Sequence, residues 1–157
     1  MAHITVPKHK HFTAENLHVN YLKGASFRYY AFRNQPNQAI AKMTLEQFIS
    51  QLTIAPNSIE FKQVMELIEQ HYEYSPASFR NGPEVFNETG TNEGSCKIFA
   101  FAQLQGLSEN DTLACFGAFY RDEVLGQPDA KNHGNIRAFM QSGWDGIAFD
   151  GAALVKK

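Results

Sequence analysis

The stretch Asn92–Lys97, which reads Asn-Glu-Gly-Ser-Cys-Lys, combines the residue types in this chain that are best suited to chemistry. An apolar run follows it as far as Leu104, and such a run predicts a buried helix with Cys96 in its first turn. Unpaired backbone N–H groups and the helix dipole favour the thiolate form of a cysteine at that position. Cys96 is therefore a candidate nucleophile, provided that a base lies within hydrogen-bonding reach.

His133 is the candidate base, and it lies in the loop Lys131–Asn135, where Asn135 or Asp129 would orient its ring. The order Cys, His, Asn and a Gly-Ser-Cys sequence at a helix start are also found in papain-like hydrolases. Matches of three residues are common, however, and such triads do not transfer between families. The alternative, which we favour, is that Cys96 is an inert core residue, since cysteine is among the most buried residue types.

Several asparagines and arginines fall in predicted loops or at the ends of predicted elements. They are Arg80, Asn81, Asn87, Asn92, Asn135 and Arg137. If the fold brings them together, they form a polar binding pocket around Cys96. The alternative for each asparagine is a role in a turn or a helix cap, where this residue type is common.

The segment Gly90–Lys97 also holds two glycines and a lysine, the ingredients of a phosphate-binding loop. Its spacing excludes a nucleotide loop, because three residues rather than four separate the glycines and the lysine does not directly follow the second one. Ser95, Lys97 and the helix N-terminus would nevertheless suit a small anion or a carboxylate.

Charge is distributed unevenly along the 157 residues, whose formal net charge is -2. Residues 1–42 carry six Lys or Arg against one acid, whereas residues 43–157 carry eight basic and fifteen acidic residues. The acidic segment 43–157 is a poor match for the negatively charged phosphate backbone of nucleic acid. No apolar run is long enough for a membrane span or a secretory signal. The two cysteines are not spaced as metal ligands or as a disulfide pair, which favours reduced thiols in a cytoplasmic protein.

The elements predicted from periodicity lie after Met43, where Thr44 is a good N-cap for a first helix. A second helix follows an Asn57–Glu60 capping box, and an Asn81-Gly82 turn predicts a short hairpin. Beyond the buried helix ending at Gly106, a helix capped by Ser108 runs through Tyr120, and a short helix and a terminal strand near Trp144–Phe149 close the chain. These elements predict one mainly helical α+β domain with a short minor β-sheet, preceded by a weakly structured extension over residues 1–42.

Metal and cofactor sites are not predicted. His3, His9 and His11 lie in the N-terminal extension, but no cysteine or carboxylate stands at ligand spacing to them.

From Met43 onward, over about 115 residues, the chain resembles the HopJ family, which is named after a type III secretion effector of a plant-pathogenic bacterium. The resemblance does not extend into residues 1–42. The matching segments are Ser58–Phe61, Phe79–Gly82, Asn92–Ala102, Phe119–Gly126, Asn135–Met140 and Gly143–Ile147. The resemblance implies a small bacterial domain, but it brings no catalytic residue or cofactor.

Two hypotheses follow for function. The first, which we favour, is a non-enzymatic binding domain that contacts an unknown protein or a small polar or anionic ligand through its Asn- and Arg-rich loops. The second is a cysteine-dependent hydrolase or transferase with Cys96 as nucleophile, His133 as base and Asn135 as orienting residue. We expect a cytoplasmic location. Secretion as a type III effector is the alternative that the resemblance implies, and the N-terminus does not support it.

Overall fold

A computed structural model describes residues 42–157, which form five α-helices, one π-helix and five short strands. The α-helices are α1 (Leu45–Ile54), α2 (Phe61–His71), α3 (Glu93–Gln105), α4 (Glu109–Ala114) and α5 (Gly134–Ser142), with a π-helix at Phe119–Val124. The strands are β1 (Tyr72–Tyr74), β2 (Phe79–Asn81), β3 (Val85–Asn87), β4 (Ile147–Phe149) and β5 (Leu154–Lys156). The prediction of a mainly helical α+β fold with a minor sheet is confirmed. The extension predicted for residues 1–42 lies outside the described residues, apart from Lys42.

Local capping explains where the first two helices begin. Thr44 and Gln47 form a capping box at the start of α1, as the predicted N-cap requires. The predicted Asn57–Glu60 box is wrong, because Asn57 lies in a 3-10 turn over Pro56–Ser58. Glu60 is instead the N-cap of α2, and its capping partner is Gln63.

Helix α3 is the centre of the core, as its apolar sequence predicts. The ring of Phe99 contacts the rings of three other elements, with centroid distances of 6.0 Å to Phe79, 5.4 Å to Phe116 and 4.9 Å to Phe139. Aromatic packing of this kind adds to the stabilisation from burial. The helix ends at Gly106, whose φ of +63° is the left-handed conformation typical of a helix terminus.

Two small antiparallel sheets complete the domain. Strands β3, β2 and β4 form one sheet in that order, and β1 pairs with β5 in the other. The predicted hairpin is β2–β3, with Asn81 opposite Val85. The predicted terminal strand is β4, while Trp144 lies in the 3-10 turn before it.

The helix predicted from Ser108 through Tyr120 is interrupted. Helix α4 ends at Ala114, and Gly117 has a φ of +58°. A Cβ atom at Gly117 would lie 2.7 Å from the backbone nitrogen of Phe61, so glycine permits the chain to pass close to the start of α2. The chain then continues as the π-helix. Within it, Arg121 Nη1 donates a hydrogen bond of 2.8 Å to the carbonyl oxygen of Asn57. No helix in residues 42–157 is long and apolar enough to cross a membrane.

Candidate functional site

Four asparagines from separate elements meet in one hydrogen-bonded cluster, which we call the amide cluster. Asn81 ends β2, Asn87 ends β3, Asn92 precedes α3 and Asn135 lies in the first turn of α5. Asn87 and Asn135 exchange a reciprocal pair of side-chain hydrogen bonds of 3.0 and 2.8 Å. The side chains of residues predicted to bind are therefore joined directly to one another.

The other two asparagines are attached to this central pair. Asn92 Nδ2 donates to Asn87 Oδ1 at 2.7 Å, and Asn81 Nδ2 donates to the backbone carbonyl of Asn135 at 2.7 Å and to its Oδ1 at 3.2 Å. Asn81, Asn87 and Asn135 are 0%, 1% and 7% exposed, whereas Asn92 is exposed. These bonds between buried amides fix the relative positions of the hairpin and α5. Asn81 Oδ1 is the buried oxygen of the amide cluster that has no hydrogen-bond partner among the described residues.

A cavity of about 460 Å³ lies beside this cluster, and we call it the amide cavity. Its lining includes three of the four asparagines, Asn87, Asn92 and Asn135, together with Ser95 and His133. The remaining lining residues are Phe61, Val85, Phe86, Gly94, Phe116, Phe119, Gly134 and Ile136. The cavity thus combines hydrogen-bonding amides with aromatic side chains, a composition that suits ligand binding.

Helices α3 and α5 both begin at the amide cavity. The residue preceding each helix, Asn92 or His133, has a left-handed backbone with φ of 49° or 54°. These are the two non-glycine residues with positive φ in residues 42–157. Neither side chain caps its helix, which leaves first-turn N–H groups beside the cavity. In α5 the N–H of Ile136 is not among them, because it donates to the carbonyl oxygen of His133 at 2.9 Å.

His133 lies at the side of the cavity between an acid and an aromatic ring. Its Nε2 is 2.7 Å from Glu123 Oε2, and its ring centroid is 5.3 Å from that of Phe119. Both Phe119 and Glu123 belong to the π-helix, a conformation frequent at functional sites. The sequence pointed to Asn135 or Asp129 as the orienting partner of His133, whereas the structure pairs the ring with Glu123.

Cys96 lies in α3 as predicted, but it is enclosed. The residue is 0% exposed and is not part of the cavity lining, and its thiol contacts the carbonyl oxygen of Ala77 at 3.6 Å. Of the residues predicted to form a polar pocket with Cys96, the structure places Asn87, Asn92 and Asn135 at the amide cavity, whereas Cys96 does not line it. A substrate in that cavity would not meet the thiol without movement of α3 or its surroundings.

The charged residues predicted for binding do not line the amide cavity, although Arg80 contacts Phe86, which does. The guanidinium of Arg80 lies over the ring of Phe86, and the ammonium of Lys97 lies 4.4 Å from the ring centroid of Tyr74, in a separate cavity of about 650 Å³. Arg137 donates to the carbonyl oxygens of Gln127, Pro128 and Asn132 and so orders the loop before α5. Apart from the asparagines, Ser95 is the residue predicted for binding that does line the amide cavity.

Sequence reasoning missed the apolar walls and the partner of His133. Phe61, Phe116 and Phe119 come from three separate segments, and nothing in their local patterns distinguishes them from ordinary core residues. Glu123 lies ten positions before His133, and a loop separates the two residues, so their spacing does not predict that they are in contact. Within residues 42–157 no three His, Cys, Asp or Glu residues are grouped as metal ligands.

Comparison with known proteins supports one family. The sequence profile of the family described as HopJ type III effector protein matches residues 45–154. The crystal structure of VPA0580, a protein of unknown function, superposes with a TM-score of 0.72 at 49% sequence identity, covering 73% of this chain and 95% of that one. No curated protein sequence matches. Since the profile spans most of the described residues and the fold of VPA0580 agrees, the chain belongs to the HopJ type III effector protein family.

Proposed function

We propose that this HopJ-family domain is a non-enzymatic binding protein and that the amide cavity is its ligand site. The ligand is a small polar molecule or a polar group of a partner protein. The observation that carries the proposal is the direct linkage of Asn87, Asn92 and Asn135 beside a cavity with aromatic walls. Buried polar groups held in this way are pre-organised, which lowers the cost of binding a ligand.

The lining supplies groups that hold a ligand rather than groups that transform one. Asn and Ser side chains hydrogen-bond, and Phe side chains give apolar contact area. The ionisable side chain of the lining is His133, which already contacts Glu123. The thiol of Cys96 is enclosed away from this surface, and this favours binding over nucleophilic chemistry.

A pair of matched glycine substitutions tests the proposal. A Cβ atom at Gly134, in the cavity lining, would meet no heavy atom within 4 Å, and the same is true of Gly151, which does not line the cavity. Gly134→Leu therefore adds a large apolar side chain at the cavity lining without a clash at its Cβ, and Gly151→Leu is the matched control. Ligand-observed NMR with a panel of small neutral and anionic polar fragments should show binding to the original chain and to Gly151→Leu, and loss of binding in Gly134→Leu.

Two outcomes of that experiment would overturn the binding function. One is that no fragment of the panel binds. The other is that fragments bind equally well to Gly134→Leu, because the site would then lie elsewhere.

We also propose that the protein acts in the cytoplasm of a bacterial cell, although its family takes its description from type III effectors. Cys96 and Cys115 are both free thiols, which suits a reducing compartment. Fractionation of cells carrying a tagged chain should recover it with the cytoplasmic proteins. Recovery from the medium that depends on a working type III secretion system would contradict this location and support an effector role.

A further inference from the structure

The charge of the amide cavity differs from that of the rest of the domain. Residues 43–157 contain fifteen acidic side chains, yet the lining contains no Asp, Glu, Lys or Arg among the described residues. Glu123 approaches the cavity but is engaged with His133 at 2.7 Å. A ligand in the cavity is therefore selected by dipoles and hydrogen bonds rather than by an opposing formal charge.

Hydrogen bonding within the amide cluster uses up the oxygens of its central pair. Asn87 Oδ1 accepts from Asn92 and Asn135, and Asn135 Oδ1 accepts from Asn81 and Asn87. Each carboxamide oxygen has two lone pairs, so both oxygens are saturated. The side-chain nitrogens of Asn92 and Asn135 each donate one described bond and have two hydrogens, so one N–H of each remains for a ligand.

Further donors lie around these two amides. Ser95 contributes a hydroxyl group to the lining, and the first turns of α3 and α5 contribute backbone N–H groups and the positive ends of two helix dipoles. Among the side-chain amide oxygens of the lining, that of Asn92 has no described hydrogen-bond partner. It lies at the exposed edge of the cavity. The cavity therefore presents more donors than acceptors, which favours a ligand rich in acceptors.

The opposite side of the cavity is apolar. Phe61 and Phe119 pack edge to face with centroids 5.1 Å apart, and Phe116 lines the same cavity. Phe86 and Phe119 are also partly exposed, at 50% and 37%, so aromatic surface continues from the cavity to its rim. Such walls match an apolar or aromatic ligand body and not the three charged oxygens of a free phosphate.

We propose that the amide cavity binds a carboxylate carried on a compact apolar body. The carboxylate oxygens accept from Asn92 Nδ2, Asn135 Nδ2 and neighbouring donors, and the apolar body packs on Phe61, Phe116 and Phe119. This ligand class rests on the binding function proposed above. The same chemistry occurs in a free carboxylic acid and at the C-terminus of a peptide that ends in an apolar residue.

Matched pairs of probes test the ligand class by titration at pH 7. 3-Phenylpropionate is compared with 3-phenylpropanamide, which keeps shape and acceptor oxygen but lacks the charge and the second oxygen. The carboxylate should bind at least about tenfold more tightly, because charge-assisted hydrogen bonds are roughly twice as strong as neutral ones. A tetrapeptide ending in Phe, with a free or an amidated C-terminus, distinguishes the source: tighter binding of the free peptide than of phenylpropionate identifies a peptide ligand.

Asn92→Asp provides the variant arm. Asp tolerates the left-handed backbone of position 92 as Asn does, so the start of α3 is retained while a donor is replaced by a negative charge at the cavity. Carboxylate binding should weaken about tenfold or more. Amide binding, which loses a neutral donor but meets no charge repulsion, should weaken less than carboxylate binding does. Asn57→Asp, an equal charge change at an exposed position outside the lining, should leave both affinities unchanged.

The outcomes separate the ligand class from the binding function. If the amide binds as tightly as the carboxylate and Gly134→Leu blocks both, the cavity is a binding site but the carboxylate proposal is wrong. If neither phenylpropionate nor the free peptide binds, the carboxylate proposal is also wrong, and the fragment panel decides the binding function separately. Loss of carboxylate binding in Asn57→Asp would show a general charge effect and would equally overturn the assignment.

Discussion

At the residue scale, Asn135 takes part in four hydrogen bonds of the amide cluster. Its side chain bonds to Asn87 in both directions, and its Oδ1 and backbone carbonyl accept from Asn81. Removing this side chain takes one bond from Asn81 Nδ2 and two bonds from Asn87, and both residues are buried. Buried groups left unsatisfied in this way cost more than the lost bonds themselves.

We expect Asn135→Ala to lower the free energy of unfolding by about 3 kcal/mol, in line with the cost of unpaired buried polar groups. Urea denaturation followed by circular dichroism measures this change. Asn57→Ala, at an exposed position, is the control and should change stability by less than about 0.5 kcal/mol. A loss of under about 1 kcal/mol in Asn135→Ala would mean that the cluster does not hold the hairpin against α5.

Cys96 provides a second test at this scale, because its enclosure decides between the two functional hypotheses. Iodoacetamide should not label Cys96 in the folded protein between pH 5 and 9, and labelling should appear only with denaturant. Burial, with a smaller contribution from Asp111, raises the pKa of Cys115 to about 12, so this thiol is inert in the same range. Cys115→Ala isolates the Cys96 signal, and rapid labelling of Cys96 in that folded variant would restore it as a candidate nucleophile.

At the element scale, Gly117 determines where α4 stops and the π-helix begins. Its φ is positive, and a Cβ atom added there would lie only 2.7 Å from the backbone nitrogen of Phe61, so there is no room for a side chain. Phe61 and Phe119, on either side of this approach, both line the amide cavity. The close packing of these two segments therefore shapes one wall of the site.

Gly117→Ala should lower the free energy of unfolding by about 3 kcal/mol, through backbone strain and overpacking together. Gly90→Ala separates the two effects, because Gly90 also has a positive φ of 82° but a Cβ there meets no atom within 4 Å. The control should lose only about 1 kcal/mol, the cost of a left-handed residue with a side chain. Equal losses at the two positions, measured by urea denaturation, would mean that the close approach is unimportant.

Sequence patterns predicted the elements whose signals are local. Thr44 predicted the start of α1, the apolar run ending at Gly106 predicted α3, and the Asn81-Gly82 turn predicted the β2–β3 hairpin. Strands β1 and β5 were missed because no local turn joins them, and pairs such as Tyr72–Lys156 form across almost the whole domain. The break after α4 was missed because helical periodicity alone does not reveal the close approach at Gly117.

The candidate site was predicted in part for the same reason. Asparagines that end strands or precede helices were recognised as a group, since those positions follow from local patterns. Their centre was placed at Cys96, because a thiol near a helix start has a known chemistry. The centre of the amide cluster, the Asn87–Asn135 pair, depends on how α5 packs against the hairpin, and no local pattern encodes that packing.

At the scale of the whole molecule, all the elements that form the site lie between Leu45 and Lys156. The family profile covers nearly the same span, residues 45–154. The core residues Phe48, Phe99 and Phe139 belong to three different helices of this part of the chain. These observations support the proposal that residues 43–157 form an independent domain.

A chain restricted to residues 43–157 should therefore unfold in a single cooperative transition and bind phenylpropionate as the full chain does, within about twofold. Thermal denaturation and titration measure the two properties. If the shorter chain fails to fold, or folds but loses binding, residues 1–42 belong to the functional unit and the domain boundary is wrong.

The Asn87–Asn135 pair also has a consequence for the order of folding. Its two residues are separated by 48 positions, and Asn81 reaches Asn135 across 54. Contacts this distant form only after the intervening chain has closed a long loop, so they arise later than helices α1 and α3. A partly folded chain that already contains its central helix therefore has no amide cavity, and a ligand of that cavity stabilises the completed fold rather than any intermediate.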